Sequence, residues 1–145
     1  MGSRNKADNN YRPLHQEDIY MNKREIGQQR IKEVLGEKSE DIIRMFEKVS
    51  PDFANYVLEF AYGDLYCRDG FSDKYREIAA VSCLIGQGNT GLPLKAHLNG
   101  MLNVGWKKNE IIELIIFLVA YSGFPACVEA IKTFMEILEE NGEEK

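Results

Sequence analysis

The stretch NEIIELIIFLVAYS, residues 109–122, decides the fold class that we expect for this chain. Its apolar residues, from Ile111 to Ala120, cover all sides of a helix, and such a helix is normally buried all round. A chain of 145 residues has little material with which to surround one. We therefore expect a homo-oligomer in which a second copy covers the helix, the alternative being a central helix in a monomer.

The sequence on both sides of this stretch carries helix start and stop signals throughout, and it has no long alternating run of β-branched residues. The pattern predicts an all-α fold of six or seven helices. Gly36 ends the first helix, Pro51 and Pro93 begin later ones, and Gly123 with Pro125 separates the last two. The predicted segments are 23–35, a helix capped by Ser39 and carrying residues 42–49, a helix presenting Phe53, Tyr56, Val57, Phe60 and Ala61, a helix over 73–85 capped by Ser72, and helices over 93–104, 109–122 and 125–140.

Composition and charge restrict the partners that we expect. The net charge is −5 and no basic block occurs, which argues against nucleic acid. No signal peptide is visible. The apolar run 111–121 is shorter than the roughly 20 residues that a membrane-spanning helix needs. We therefore expect a cytoplasmic protein without a membrane partner. Residues 1–20 are polar and aperiodic and begin Met-Gly-Ser, so we interpret them as a disordered or expression-derived leader before a single helical domain, 21–145.

His97 is the first candidate for chemistry. It shares a helix face with apolar residues at spacings of three, four and seven, among them Leu94 and Met101. A lone histidine on such a face is often a core residue with both nitrogens satisfied. A metal ligand is a weaker interpretation, because the predicted domain has no second histidine and no H-x-x-x-H spacing.

Glu77 is the second candidate. It lies on an apolar face with Ala80 and Val81, where a carboxylate is costly unless it is paired, hydrogen-bonded or protonated. Such a group is a candidate general acid or base. The alternative is an ordinary acid of the first helical turn, paired with Arg76 or Arg68.

The three cysteines are Cys67, Cys83 and Cys127, which are far apart and form no C-x-x-C motif. A disulfide framework and a zinc knuckle are therefore not expected. Cys83 lies in an apolar helix, where an inert core thiol is the more common case. Cys67 lies in a loop beside Arg68, which would lower its pKa, although a tolerated loop cysteine is the simpler interpretation.

Several elements taken in order resemble the carboxymuconolactone decarboxylase family. They are the Gly63-Asp64 loop with Arg68 and Gly70, then Arg76-Glu77-Ile78, then His97 with Asn99-Gly100 and Gly105, then Glu110-Ile111-x-Glu113, and finally Ala120-Tyr121-x-Gly123-x-Pro125-Ala126. The ordered combination is specific, whereas each piece alone is weak. The resemblance implies an all-α orthogonal helical bundle that assembles as a homohexamer or a trimer.

The resemblance also implies a site in which Glu77 and His97 face one pocket. The alkylhydroperoxidase D-like branch of the family carries C-x-x-C-x-x-x-H, and both cysteines are missing before His97. What remains resembles the decarboxylase branch, which uses no metal and no organic cofactor. That branch is a lyase that removes carbon dioxide from a small carboxylated lactone.

For this reaction we expect His97 and Glu77 to be catalytic through acid–base chemistry. Arg68 and Arg76 would hold substrate carboxylates, and Tyr121 is a further substrate-binding candidate. Two alternatives stay open. One is a thiol-dependent peroxidase, with peroxiredoxin activity, that uses Cys67 or Cys83 alone, and the other is a non-catalytic helical oligomer that binds a small ligand.

Overall fold

The structure is a computed structural model that describes residues 21–142, and within that range it contains only helices, turns and loops. The all-α prediction is confirmed. The predicted leader, 1–20, lies outside the described residues, as do residues 143–145. The helices are α1 (Lys23–Leu35), α2 (Ser39–Val49), α3 (Pro51–Asn55, continued as a π-helix over Tyr56–Tyr62), α4 (Asp73–Gly86), α5 (Leu92–Asn103) and α6 (Lys108–Glu140), with a 3₁₀ turn at Leu65–Cys67 between α3 and α4.

The ends of α1 show why local sequence predicted its bounds correctly. Asn22 and Glu25 form a reciprocal capping box at the start, which satisfies two backbone donors of the first turn. Gly36 follows the last residue with φ +81°, a conformation that side chains with a Cβ rarely adopt. Both signals depend only on neighbouring residues.

Two predicted serine caps were wrong in detail. Ser39 is the first residue of α2, and its hydroxyl donates to the Gly36 carbonyl at 2.6 Å instead of capping the helix. Ser72 does occupy the N-cap position of α4, but it makes no side-chain capping bond. Its buried hydroxyl has no hydrogen-bond partner among residues 21–142.

The predicted apolar face of α3 was wrong for its three aromatic residues, whereas Val57 and Ala61 do pack against the core. Phe53, Tyr56 and Phe60 are exposed, whereas Ala54, Leu58 and Tyr62 on the same helix are buried. The π-helical hydrogen bonding of Tyr56–Tyr62 changes the number of residues per turn, so the 3.6-residue period selects the wrong face. Backbone contact with α1 favours the observed face, because a Cβ on Gly27 would lie only 1.9 Å from the Leu58 carbonyl oxygen.

Two apolar clusters make up the core, and α5 contributes to both. One cluster joins α4, α5 and α6 and contains Val81, Leu98 and Phe134. The other joins α1, α2 and α3, with Ala96 of α5 packed against it. The junction between the clusters is therefore walled by α1, α4 and α5, and both candidate residues lie there.

Helix α6 is covered on one side only. Ile111, Ile115 and Leu118 are buried, whereas a stripe of large apolar side chains lies exposed along the rest of the helix. A central helix in a monomer is therefore not what the described chain forms. The exposed α6 stripe consists of Ile116, Phe117, Tyr121, Phe124, Val128 and Met135.

Gly123 breaks the regular geometry of α6 with φ +78° and ψ 163°, where two predicted helices meet. The apolar character continues across this break, so the expectation of a short apolar run was wrong. By length and composition α6 is able to cross a membrane, with an 18-residue window of mean hydropathy 2.1, of which 22% is buried. Core helices of soluble proteins meet the same criterion, so the absence of a membrane partner stays a prediction.

Candidate active site

Glu77 is positioned by the packing of α4. The residues on its helix face, Asp73, Val81 and Ile85, are buried, and the register of this face carries Glu77 inward with them. Glu77 is 0% exposed. A carboxylate in such a position needs donors, because burial without hydrogen bonds would disfavour its charged form by several kcal/mol.

His97 comes to the same place from α5. Pro93 at the start of α5 and Gly105 after its end, with φ +100°, define a short helix as predicted. Leu94, Leu98 and Met101 anchor it in the core, and the side chain of His97 is 19% exposed. The imidazole is therefore neither fully buried nor on an open surface.

The two candidate residues meet directly. His97 Nδ1 lies 2.9 Å from Glu77 Oε2. This contact replaces the alternative in which Glu77 pairs with Arg76 or Arg68. A carboxylate accepts only, so a neutral imidazole bonded in this way carries its proton on Nδ1 and leaves Nε2 as the basic nitrogen. No hydrogen bond from the described residues reaches Nε2, so His97 is not a core histidine with both nitrogens satisfied.

Gly100 makes room for this contact. It lies one turn after His97, and a Cβ at this position would be 2.5 Å from Glu77 Oε2 and 2.8 Å from Leu35 Cδ2. Real Cβ atoms essentially never come so close to another heavy atom. The glycine thus lets the carboxylate lie against the backbone of α5.

Tyr66 supplies the second partner of Glu77. Its hydroxyl donates to Glu77 Oε1 at 2.7 Å, so each carboxylate oxygen has one partner. Its ring stacks on that of Tyr62, with ring centroids 4.6 Å apart. Burial, and then the charge of Glu77, raises the pKa of Tyr66 far above its ordinary value, so the phenol stays a donor.

A buried charge cluster lies behind Tyr66. Arg30 of α1 donates to Asp73 Oδ1 at 2.7 Å and to the backbone carbonyl of Tyr66 at 2.9 Å. Arg76 also donates to Asp73 Oδ1, at 3.2 Å, and its guanidinium carbon lies 5.8 Å from the Tyr66 ring centroid. Burial works against the charge of Arg30, but the hydrogen bonds and charges of Asp73 and Glu33 raise the pKa of Arg30 above its ordinary value.

A cavity of about 300 Å³ opens beside His97. Its walls are mostly apolar, and the side chains of His97, Tyr62 and Tyr66 are the lining groups with polar atoms. This volume suits a small organic molecule. The lining residues are Ile31, Leu35, Ile42, Phe46, Val57, Ala61, Tyr62, Tyr66, Ala80, Leu92, Pro93, Ala96 and His97.

The three predicted substrate-binding residues do not line this cavity. Arg68 is exposed and its backbone carbonyl accepts a hydrogen bond from Arg76. Arg76 is engaged in the charge cluster. Tyr121 is 76% exposed and belongs to the α6 stripe, with its ring centroid 5.4 Å from that of Phe117. Their roles in substrate binding stay predictions.

The cysteines do not join the site either. The Cys67 thiol donates to the Tyr62 carbonyl at 3.3 Å, and burial raises the pKa of Cys67, opposed only in part by Arg30 and Arg76. The lowered pKa expected for Cys67 beside Arg68 was wrong, because burial is the largest effect on this thiol and raises its pKa. Cys83 is exposed near the end of α4, against the prediction of an inert core thiol.

Metal ligands are a separate question. Among residues 21–142, no three His, Cys, Asp or Glu side chains are grouped so that they could hold a metal ion. The expectation of a site without metal or organic cofactor stays a prediction.

Sequence reasoning missed Tyr66 and Arg30. Tyr66 lies in a turn, and a turn has no repeating pattern of apolar residues from which burial could be predicted. Nothing in the neighbouring sequence therefore predicts its hydrogen bond to Glu77. Arg30 did carry a signal. It shares the buried face of α1 with Gly27, Ile31 and Val34, the same anomaly that identified Glu77.

The chain is similar to known proteins over most of its length. Residues 51–135 match the family model described as the carboxymuconolactone decarboxylase family. The chain is 32% identical over 113 residues to a 4-carboxymuconolactone decarboxylase of Acinetobacter baylyi, covering 76% of this chain and 82% of that protein. It is also 32% identical over 100 residues to a nitrosuccinic acid decarboxylase of Metarhizium robertsii, covering 68% and 69%.

These two relatives carry the names of enzymes, which supports the prediction that this chain is one. The matched region contains Glu77, His97, Tyr66 and Gly100, and therefore the whole hydrogen-bonded site apart from its support by α1. The chain belongs to the carboxymuconolactone decarboxylase family.

Proposed function

We propose that this protein is a decarboxylase of a small carboxylated molecule and that the Glu77–His97 pair handles the proton of the reaction. The observation that carries the proposal is the 2.9 Å contact between His97 Nδ1 and the fully buried Glu77, at the wall of a cavity of about 300 Å³. The two relatives named as decarboxylases support the reaction type. A carboxylated lactone is the substrate that we favour.

The reaction divides into two steps at this site. The bond between the substrate and its carboxylate breaks, carbon dioxide leaves, and the electron pair stays on the substrate carbon, delocalised toward the lactone carbonyl. A protonated His97 then gives its Nε2 proton to that carbon and regains a proton from water. The Nδ1–H group of His97 stays hydrogen-bonded to the Glu77 carboxylate throughout both steps. Nε2 is therefore the nitrogen that exchanges its proton.

The apolar walls favour the first step. A carboxylate that enters the cavity exchanges water for side chains such as Ile31 and Phe46, and it loses its localised charge as the bond breaks. No metal or organic cofactor is invoked, because the electron acceptor is part of the substrate.

We also propose that the protein works as a homo-oligomer, with a hexamer as the favoured assembly and a trimer as the second possibility. The exposed α6 stripe supports this proposal, since monomeric soluble proteins rarely expose a large contiguous apolar patch. Light scattering coupled to size-exclusion chromatography measures the assembly directly.

The function is tested with carboxylated lactones and nitro acids, by following release of carbon dioxide. The variants are His97→Ala and Glu77→Gln, with Glu37→Gln, an exposed glutamate between α1 and α2, as the matched control. General acid–base groups contribute roughly 10²- to 10⁴-fold, so each site variant should lose kcat to about that extent while the control keeps it. Glutamine at position 77 keeps the shape but removes the charge, and when its NH₂ faces Nδ1 it favours the opposite tautomer, in which Nδ1 is the acceptor.

Two results would contradict the proposal. One is a wild-type protein that releases no carbon dioxide from any member of the panel. The other is turnover that survives both substitutions within about three-fold, which is far below the contribution of a general acid.

A further inference from the structure

Glu77 has two oxygens but only one of them faces the histidine, so something must decide which way the carboxylate lies. The buried carboxylate has two described partners, His97 Nδ1 at Oε2 and the Tyr66 hydroxyl at Oε1. A charged group that is 0% exposed depends strongly on each of its donors. Without the phenol, the carboxylate would keep a single partner and would be able to turn about its last side-chain bond.

We infer that Tyr66 is a positioning residue of this site, which holds Glu77 in the orientation that sets the tautomer of His97. This inference rests on the proposed function for its consequence in catalysis, but not for its structural content. Tyr66 acts through Glu77 and need not touch the reacting atoms.

Tyr66 is itself held on three sides, which is what a positioning residue requires. Its backbone carbonyl accepts from Arg30, its ring stacks on Tyr62, and the Arg76 guanidinium lies over the ring. Arg30 is only 6% exposed and is anchored in turn by Asp73. The turn between α3 and α4 is thus tied to α1 and α4, and the phenol cannot swing away from Glu77 without breaking buried contacts.

The phenol is also chemically suited to this role. Burial and the charge of Glu77 hold its pKa far above the ordinary value, so it does not give up its proton to the carboxylate. A fixed O–H donor facing Oε1 leaves Oε2 as the acceptor for Nδ1–H. The result is one defined tautomer in place of a mixture.

The test uses Tyr66→Phe in the full chain, which removes one hydroxyl and keeps the ring. Loss of a hydrogen bond to a charged group, with the misplacement that follows, should lower kcat about 10- to 100-fold while KM stays within about three-fold. Tyr75→Phe is the matched control, because Tyr75 lies on the same helix as Glu77 but is 56% exposed and contacts Phe71 instead. It should keep the wild-type kcat.

A second measurement does not depend on turnover. The chain has two histidines, so a His15→Gln background leaves His97 as the sole ¹⁵N-histidine signal. At a pH where the imidazole is neutral, the ¹⁵N chemical shifts of His97 in this background should be those of the Nδ1–H tautomer. In Tyr66→Phe they should move to values intermediate between those of the two tautomers. Thermal unfolding of each variant reports whether the fold is kept.

The outcomes separate this inference from the proposed function. If Tyr66→Phe folds and leaves the His97 ¹⁵N shifts unchanged, the positioning role is overturned, whatever the enzyme does. If the tautomer shifts but the wild type decarboxylates nothing, the positioning role stands and the proposed function fails. An unchanged kcat in Tyr66→Phe, on a substrate that the wild type turns over, also overturns the role.

Discussion

Replacing Gly100 by alanine should damage the site more than the fold. The new Cβ would lie 2.5 Å from Glu77 Oε2 and 2.8 Å from Leu35 Cδ2, so both neighbours have to move. Leu35 is only 4% exposed and is packed in the core. The other neighbour, Glu77 Oε2, is at the tip of its side chain, and its exact position determines the contact with His97.

Two opposing effects determine the change in the free energy of unfolding. Overpacking a core position costs about 1–3 kcal/mol. Alanine recovers up to about 1 kcal/mol, because glycine is a poor helix former. The net loss of stability should therefore be about 0–2 kcal/mol, which leaves the protein folded.

Activity should fall further than this, because displacement of a catalytic group by about 1 Å costs on the order of 100-fold. We expect kcat to drop about 10-fold or more, measured by release of carbon dioxide, while urea unfolding followed by circular dichroism gives the stability. Gly86→Ala is the matched control, since Gly86 ends α4 and a Cβ there would lie 3.8 Å from Ser122 Oγ, an ordinary contact. A Gly100→Ala variant as active and as stable as Gly86→Ala would refute the reasoning about the space around Glu77.

Three further predictions concern other parts of the molecule. Gly123→Ala should lower the free energy of unfolding by about 1–3 kcal/mol, because φ +78° with ψ 163° is a conformation almost reserved for glycine. An unchanged unfolding curve would contradict this backbone conformation at Gly123. Toward a thiol reagent at neutral pH, Cys67 should react more slowly than the exposed Cys83, because burial raises the pKa of Cys67. The Cys67→Ser and Cys83→Ser variants assign the two rates, and equal rates would count against this description. Phe117→Arg should reduce the assembly measured by light scattering, while Phe60→Arg, 60% exposed like Phe117 but on α3, should not. An assembly that survives Phe117→Arg would exclude the α6 stripe as the interface.

How much of the site was predictable differs from residue to residue. Glu77 and His97 were identified because each places a polar group on an apolar helix face, which is a property of helical periodicity. Arg30 carries the same signal in α1. Tyr66 carries none, because its burial depends on how the turn before α4 folds against Glu77, eleven positions along the chain.

The faces of the helices show the same division. For α5 the 3.6-residue period selected the buried residues Leu94 and Met101 correctly, because the helix is regular. For α3 it failed at Tyr56 and Phe60, because a π-helical segment changes the period and the close approach at Gly27 determines which side faces the core.

The sequence by itself determined the all-helical class, the bounds of helices such as α1 and the presence of two polar residues at apolar positions. These properties depend on neighbours within one or two turns, such as the capping box at Asn22 and the positive φ of Gly36. Only the tertiary structure decided that Glu77 binds His97 and Tyr66 and that Gly100 leaves space for the carboxylate. Those contacts join α4 to α5 and to a turn, and their distances depend on the packing of whole helices, which no local pattern specifies.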